Sequence, residues 1–216
     1  MKMPVRATAW VSLFAVAFGL VEAAVVVYLR GLYYPEGFAF PLKLIEQPHL
    51  VVELARELCT IIMLIAVGIV AGSSRWQKFA YFMLAFGVWD IFYYVWLKIF
   101  LNWPVSLTDW DILFLIPLPW VAPVIAPILI SIVMIIAAVR IVHFETAGNR
   151  FSPPFVSWIL GGLGTGAILF TFLRDTKATL GGGTPESYAY GFFGVGVLLY
   201  LGALYTGFRN FREKEG

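Results

Sequence analysis

The chain has 216 residues, of which 61% are hydrophobic and only 13% charged, against about 45–50% apolar and about 25% charged in soluble domains; a water-soluble globular fold is excluded. A net charge of +2 with no block of like charge excludes nucleic acid as the main partner. A single cysteine, Cys59, excludes a disulfide framework or a cysteine metal cage within one chain.

Crossing a bilayer core of about 30 Å takes roughly 20 apolar residues at about 1.5 Å of rise each. Residues 7–29, 50–71, 79–101, 120–142, 155–173 and 188–208 meet that length. They predict an all-α, polytopic membrane protein: one six-helix transmembrane domain spanning residues 1–216, with short cytoplasmic and longer outer loops. Barrel strands would alternate apolar and polar residues, and runs such as 61–70 do not. The first apolar run is too long for a signal-peptide core and is read as an uncleaved helix.

Loops rich in Lys and Arg stay on the cytoplasmic side. With the N-terminus inside, the inner segments hold Lys2, Arg6, Arg75, Lys78, Arg140, Arg150, Arg209, Arg212 and Lys214, against Arg30, Lys43, Lys98, Arg174 and Lys177 outside. Nine against five places both termini in the cytoplasm of a cell (inner) membrane. Of 13 acidic residues, only Glu145, Glu213 and Glu215 then fall inside, which points to the outer half for function.

Helix one carries Glu22. Helix two opens on Pro48, which suits a first helical position, and then repeats His49, Glu53 and Glu57 every four residues along one face. By helical rise Glu22 and Glu57 lie about 10 Å, and Asp90 of helix three about 16 Å, below the outer surface. A carboxylate near the bilayer centre costs about 2.5–3.5 kcal/mol and faces protein or water. One imidazole with carboxylates is a ligand set for a divalent metal, so Glu22, His49, Glu53 and Glu57 are the metal candidates, with Glu22 and Glu57 facing each other. The plain alternative pairs Glu53 with Arg56 or Arg30. Asp90, Glu22, Glu57, Tyr93 and Tyr94 are the catalytic candidates. Tyr93 and Tyr94, three and four residues after Asp90, share its face, and the surrounding rings suit either a protonated acid or an organic cation held by charge and cation–π attraction. Lys98 is expected to snorkel to the surface.

The connector from Trp103 to Pro119 is expected to form a re-entrant or interfacial lid, with Thr108 or Asp109 capping a short helix. Prolines 117, 119, 123 and 127 would kink the start of the fourth helix. Glycines 161, 162, 164 and 166, with 191, 194, 196 and 202, are expected to bring helices five and six close together. Gly181, Gly182 and Gly183 form a turn without the Lys-Ser/Thr of a phosphate loop, so no nucleotide is expected. Arg174, Asp175 and Lys177 are candidate counter-charges for the acidic cluster, or contacts for lipid phosphates. His49 and His143 fall at opposite ends, so a bis-histidine haem is not expected, and no nucleophile stands beside His49 for a Ser-His-Asp hydrolase. The two halves show no inverted repeat of the transporter kind.

These residues support three functions. The first is a metal- or cation-dependent enzyme acting on a lipid-soluble substrate; the second is a proton- or cation-coupled transporter or channel. The third is a non-catalytic subunit or assembly factor, partnered by other membrane subunits or by a second copy, with membrane lipid as a partner in every case.

Overall fold

The structure, a computed structural model, describes residues 3–43 and 45–212; Lys2, Glu213, Lys214 and Glu215, which enter the charge counts, lie outside them. The helices are α1 (Met3–Tyr33), α2 (Gln47–Ala71), α3 (Arg75–Leu101), α4 (Ile125–Thr146), α5 (Phe155–Leu173), the single turn α6 (Thr176–Leu180) and α7 (Tyr190–Arg212). Six helical segments are long and apolar enough to cross a membrane, with α5 and α6 together forming the fifth, Phe155–Leu180. Most of each segment faces away from the protein's own core. Large apolar side chains such as Val70, Phe155, Leu198 and Leu32 are exposed there, as the hydrocarbon of a bilayer permits and water does not. These features mark an integral, multi-pass membrane protein.

Local chemistry sets the helix ends. Pro48 stands in the first turn of α2, where a missing N–H costs nothing. The Ser74 hydroxyl accepts from the Gln77 N–H at the start of α3, and Asn102 ends α3 in the left-handed conformation. Lys98 donates to the carbonyls of Asn102 and Pro104, so it closes the end of its own helix as well as reaching toward the surface.

One expected span is corrected. Residues 120–123 do not begin the fourth helix; they form strand β2 (Trp120–Pro123), antiparallel to β1 (Trp110–Phe114). Trp110 faces Pro123, Asp111 faces Ala122, Ile112 faces Val121, and a bulge separates Ile112 from the Phe114–Trp120 pair. Prolines 117, 119 and 123 forbid a continuous helical ladder, whereas Trp, Ile, Phe and Val suit paired strands. The short helix expected after Thr108 or Asp109 is absent too. The Asp109 carboxylate instead closes a turn, accepting from the N–H groups of Val105 and Ser106. Val121 and Ala122 are fully buried, so the hairpin packs into the protein and is not an exposed connector.

Helix α3 is the centre of the packing: α1, α2 and α4 lie along it, while α5 and α7 pack mainly on each other. Two glycines set the approach of helices near acidic residues. A Cβ at Gly19 would stand 3.0 Å from the Trp89 carbonyl oxygen, and one at Gly87 would stand 2.7 Å from that of Ser131. Each lies three residues before a carboxylate, Glu22 and Asp90, and so on its face. Gly87→Ala is therefore expected to force α3 and α4 apart and cost about 1–3 kcal/mol, read as a lowered midpoint in thermal unfolding in detergent. At the other end of the molecule Gly164 and Gly196 do bring α5 and α7 together, but Gly161, Gly162, Gly166, Gly191 and Gly194 have open space beside them. Of the expected glycine seam, Gly164 and Gly196 make the close approach and Gly202 stands in ordinary contact with Leu160 of α5.

Candidate functional site

A cavity of about 370 Å³ lies among α1, α2, α3, the β1–β2 hairpin and the connection from α1 to α2. Glu22, Glu53, Glu57, Asp90, Tyr93 and Tyr94 all line it, so the acidic candidates converge. His49 does not line it. Its ring bonds the Tyr33 hydroxyl at 2.6 Å, which separates it from the carboxylates it shares a helix face with.

Arg56 occupies the centre of the acidic group. Its guanidinium bonds Glu22 of α1 and, through Nε at 3.0 Å and also through Nη2, Glu53 of its own helix. Helical spacing lets Arg56 serve only one neighbour on its own helix; it does so, and spends its remaining reach on α1. Thr60 adds a long hydroxyl contact to Glu22 at 3.4 Å. Glu22 and Glu57 therefore share no hydrogen-bond partner, although the Arg56 charge acts on both. Among the described residues no group of three His, Cys, Asp or Glu side chains is placed to hold a metal ion.

Glu57 turns to the hairpin. Both of its oxygens accept from the Leu115 N–H at 3.0 Å, a backbone donor left without a strand partner beyond the end of β1. Glu57→Ala would strand that donor, and an unmet buried donor costs about 1–3 kcal/mol; Glu57→Gln keeps an acceptor. Thermal unfolding is expected to show the alanine variant clearly less stable than the glutamine one.

Asp90 does not bond Tyr93 or Tyr94 as the spacing predicts. Its Oδ2 accepts from the Ser131 hydroxyl of α4 at 2.8 Å, a partner that the close approach at Gly87 brings within reach. The two tyrosines lie instead beside Asp111 of β1. Sequence reasoning misses this residue because the connector reads as a lid, not as buried structure. Asp111 is 2% exposed and pairs with Arg30 of α1, Nη2 to Oδ1 at 3.0 Å. The Arg30 guanidinium is stacked on Trp103 at 3.8 Å and Phe38 at 4.4 Å, which fixes its plane. Burial raises the Asp111 carboxyl above its ordinary value, and the Arg30 charge pulls it back only in part.

Of the counter-charges expected from α5, Arg174 serves elsewhere. Arg174 pairs with Glu186 at 3.9 Å, and the Asp175 carbonyl accepts from Thr179. On the opposite side of the molecule Glu145 holds the Ser74 hydroxyl and the Phe151 N–H.

The cavity thus holds five buried carboxylates against two guanidiniums, that of Arg30 buried and that of Arg56 half-buried, and the exposed ammonium of Lys43. Arg56 serves Glu22 and Glu53, and Arg30 serves Asp111, while the hydrogen-bond donors to Glu57 and Asp90 among the described residues are neutral, the Arg56 charge acting on Glu57 only from a distance. No family model, no curated protein and no solved structure matches this chain.

Proposed function

We propose that this membrane protein recognises a cationic group in an intramembrane pocket on its outer side, the side to which the distribution of Lys and Arg assigns the hairpin end. The observation that carries this reading is the charge imbalance inside one cavity: five carboxylates line it against Arg30, Arg56 and the exposed Lys43, and neither Glu57 nor Asp90 has an ion-pair partner among the described residues. A buried carboxylate with only neutral partners is costly when ionised. A ligand ammonium supplies the missing charge, and Trp89, Tyr93, Tyr94 and Phe114, which line the same space, offer ring faces to it. A divalent metal fits less well, since Arg56 already neutralises Glu22 and Glu53 and would have to be displaced.

Equilibrium dialysis of labelled tetramethylammonium against the protein in nanodiscs tests it. Saturable binding is expected, weakened about ten-fold or more in Glu57→Gln and in Asp90→Asn, as suits loss of one close charge worth about 1.4 kcal/mol or more. Binding unchanged in both variants would remove the pocket from consideration. A proton taken up by these same carboxylates, as in a relay, would show as wild-type protein that binds no organic cation.

A further inference from the structure

The Arg30–Asp111 pair is made by one nitrogen and one oxygen, and its other half is unspent. Arg30 Nη1 is buried with no hydrogen-bond partner, and Asp111 Oδ2 has none closer than the Tyr93 and Tyr94 hydroxyls that stand beside its carboxylate; both residues line the cavity. Their side chains are 9% and 3% exposed. Unmet polar atoms of this kind are costly in a protein interior, and here a cationic donor and an anionic acceptor stand side by side. The stacked rings of Phe38 and Trp103 hold the guanidinium in place, so Nη1 is presented in a fixed direction, as suits an anionic oxygen.

A second feature of the same cavity is apolar. Helices α1 and α2 both lie along α3 but touch each other only sparsely. Val26 and Leu29 of α1 and Leu50 and Leu54 of α2 line the cavity where the two helices part. The polar end of the space, with its charges of both signs, therefore continues into an aliphatic cleft between two helices whose other faces carry exposed Tyr28, Leu32, Val51 and Val52.

Resting on the cation reading above, we infer that the ligand is a zwitterionic amphiphile of the membrane, of the amine-phospholipid class. Its ammonium lies among the carboxylates, its phosphate accepts from Arg30 Nη1, and its acyl chain leaves between α1 and α2. An amine alone would leave Nη1 unmet, and a purely anionic lipid would enter a cavity where carboxylates outnumber guanidiniums.

The test uses the full chain in detergent, incubated with equimolar palmitoyl-oleoyl phosphatidylethanolamine and phosphatidylglycerol, with retained lipid counted by native mass spectrometry. One phosphatidylethanolamine per chain is expected, favoured about ten-fold or more over phosphatidylglycerol, a preference equivalent to one well-placed charge contact. Arg30→Gln combined with Asp111→Asn removes the pair without leaving an uncompensated buried charge. It is expected to lower phosphatidylethanolamine retention about ten-fold or more, through loss of the phosphate contact, while still binding tetramethylammonium through Glu57 and Asp90. Equal retention of the two lipids by the wild-type chain overturns the inference, as does undiminished phosphatidylethanolamine retention in the double variant. Glycerophosphoethanolamine, the soluble head without chains, is expected to compete about a hundred-fold more weakly than the lipid; competition at equal strength would replace the lipid with a soluble zwitterion. Failure of tetramethylammonium to bind the wild-type chain would refute the underlying cation reading, whereas its binding with no lipid preference refutes this inference alone.

Discussion

Arg56→Met is expected to lower stability by about 3–5 kcal/mol, the cost of leaving a buried charge without its partner, and here two carboxylates lose theirs at once. Glu22 and Glu53 are both buried and both bound to this one guanidinium. The loss should not be read as the net worth of the bridge, because desolvating three charged groups offsets much of their mutual attraction. The decisive comparison is the triple variant Glu22→Gln, Glu53→Gln, Arg56→Met. Neutral in all three positions, it is expected to recover most of the lost stability in thermal or denaturant unfolding. The single variant should also loosen α1 from α2, since these helices make few other contacts. A single variant as stable as wild type would show the three groups to be solvated, not buried.

The residues show why the site is only half legible in the sequence. Glu22, Glu53, Glu57 and Asp90 are marked by depth alone, because a carboxylate set well inside an apolar run must find a partner, and helical rise gives its level. The partners are another matter. Arg56 reaches across to α1, Arg30 reaches β1, and Ser131 reaches α3; each contact joins residues far apart in the chain, and no spacing rule carries that information. Asp111 escapes notice for a different reason. Five apolar residues bounded by turn signals read alike as strand or buried helix, and the prolines that argue for an irregular connector are also what confines residues 120–123 to a strand. The i+4 pattern of His49, Glu53 and Glu57 is real as a face of α2. The structure divides it among three partners, Tyr33, Arg56 and the Leu115 N–H, because three different elements pass along that face.

Arg30 provides the second large effect, and the pair it makes has a definite pH signature. Asp111 lies outside the six spans, and burial holds its carboxyl above the ordinary value of 3.8. A carboxyl raised on folding binds protons more readily in the native state, so its contribution to stability declines as pH rises from the ordinary Asp range through the raised value. The ion pair is thus formed against a desolvation cost that Arg30 only partly offsets. Removing Arg30 alone removes that offset: Arg30→Met is expected to cost about 3–5 kcal/mol at neutral pH, and less on the acid side, where Asp111 takes up a proton. Arg30→Lys keeps the charge but loses the flat face between Phe38 and Trp103 and the forked donors, so it is expected to restore only part of the loss. Adding Asp111→Asn to Arg30→Met should recover most of the stability and flatten the pH dependence, since no charge then remains to be desolvated. Denaturant unfolding of wild type, the Arg30→Met and Asp111→Asn single variants and the double variant at two pH values, one below and one above neutral, closes the double-mutant cycle. A coupling energy near zero would mean that α1 and the hairpin are held together by their apolar contacts alone, and the unmet atoms of the pair would then carry no argument for a ligand.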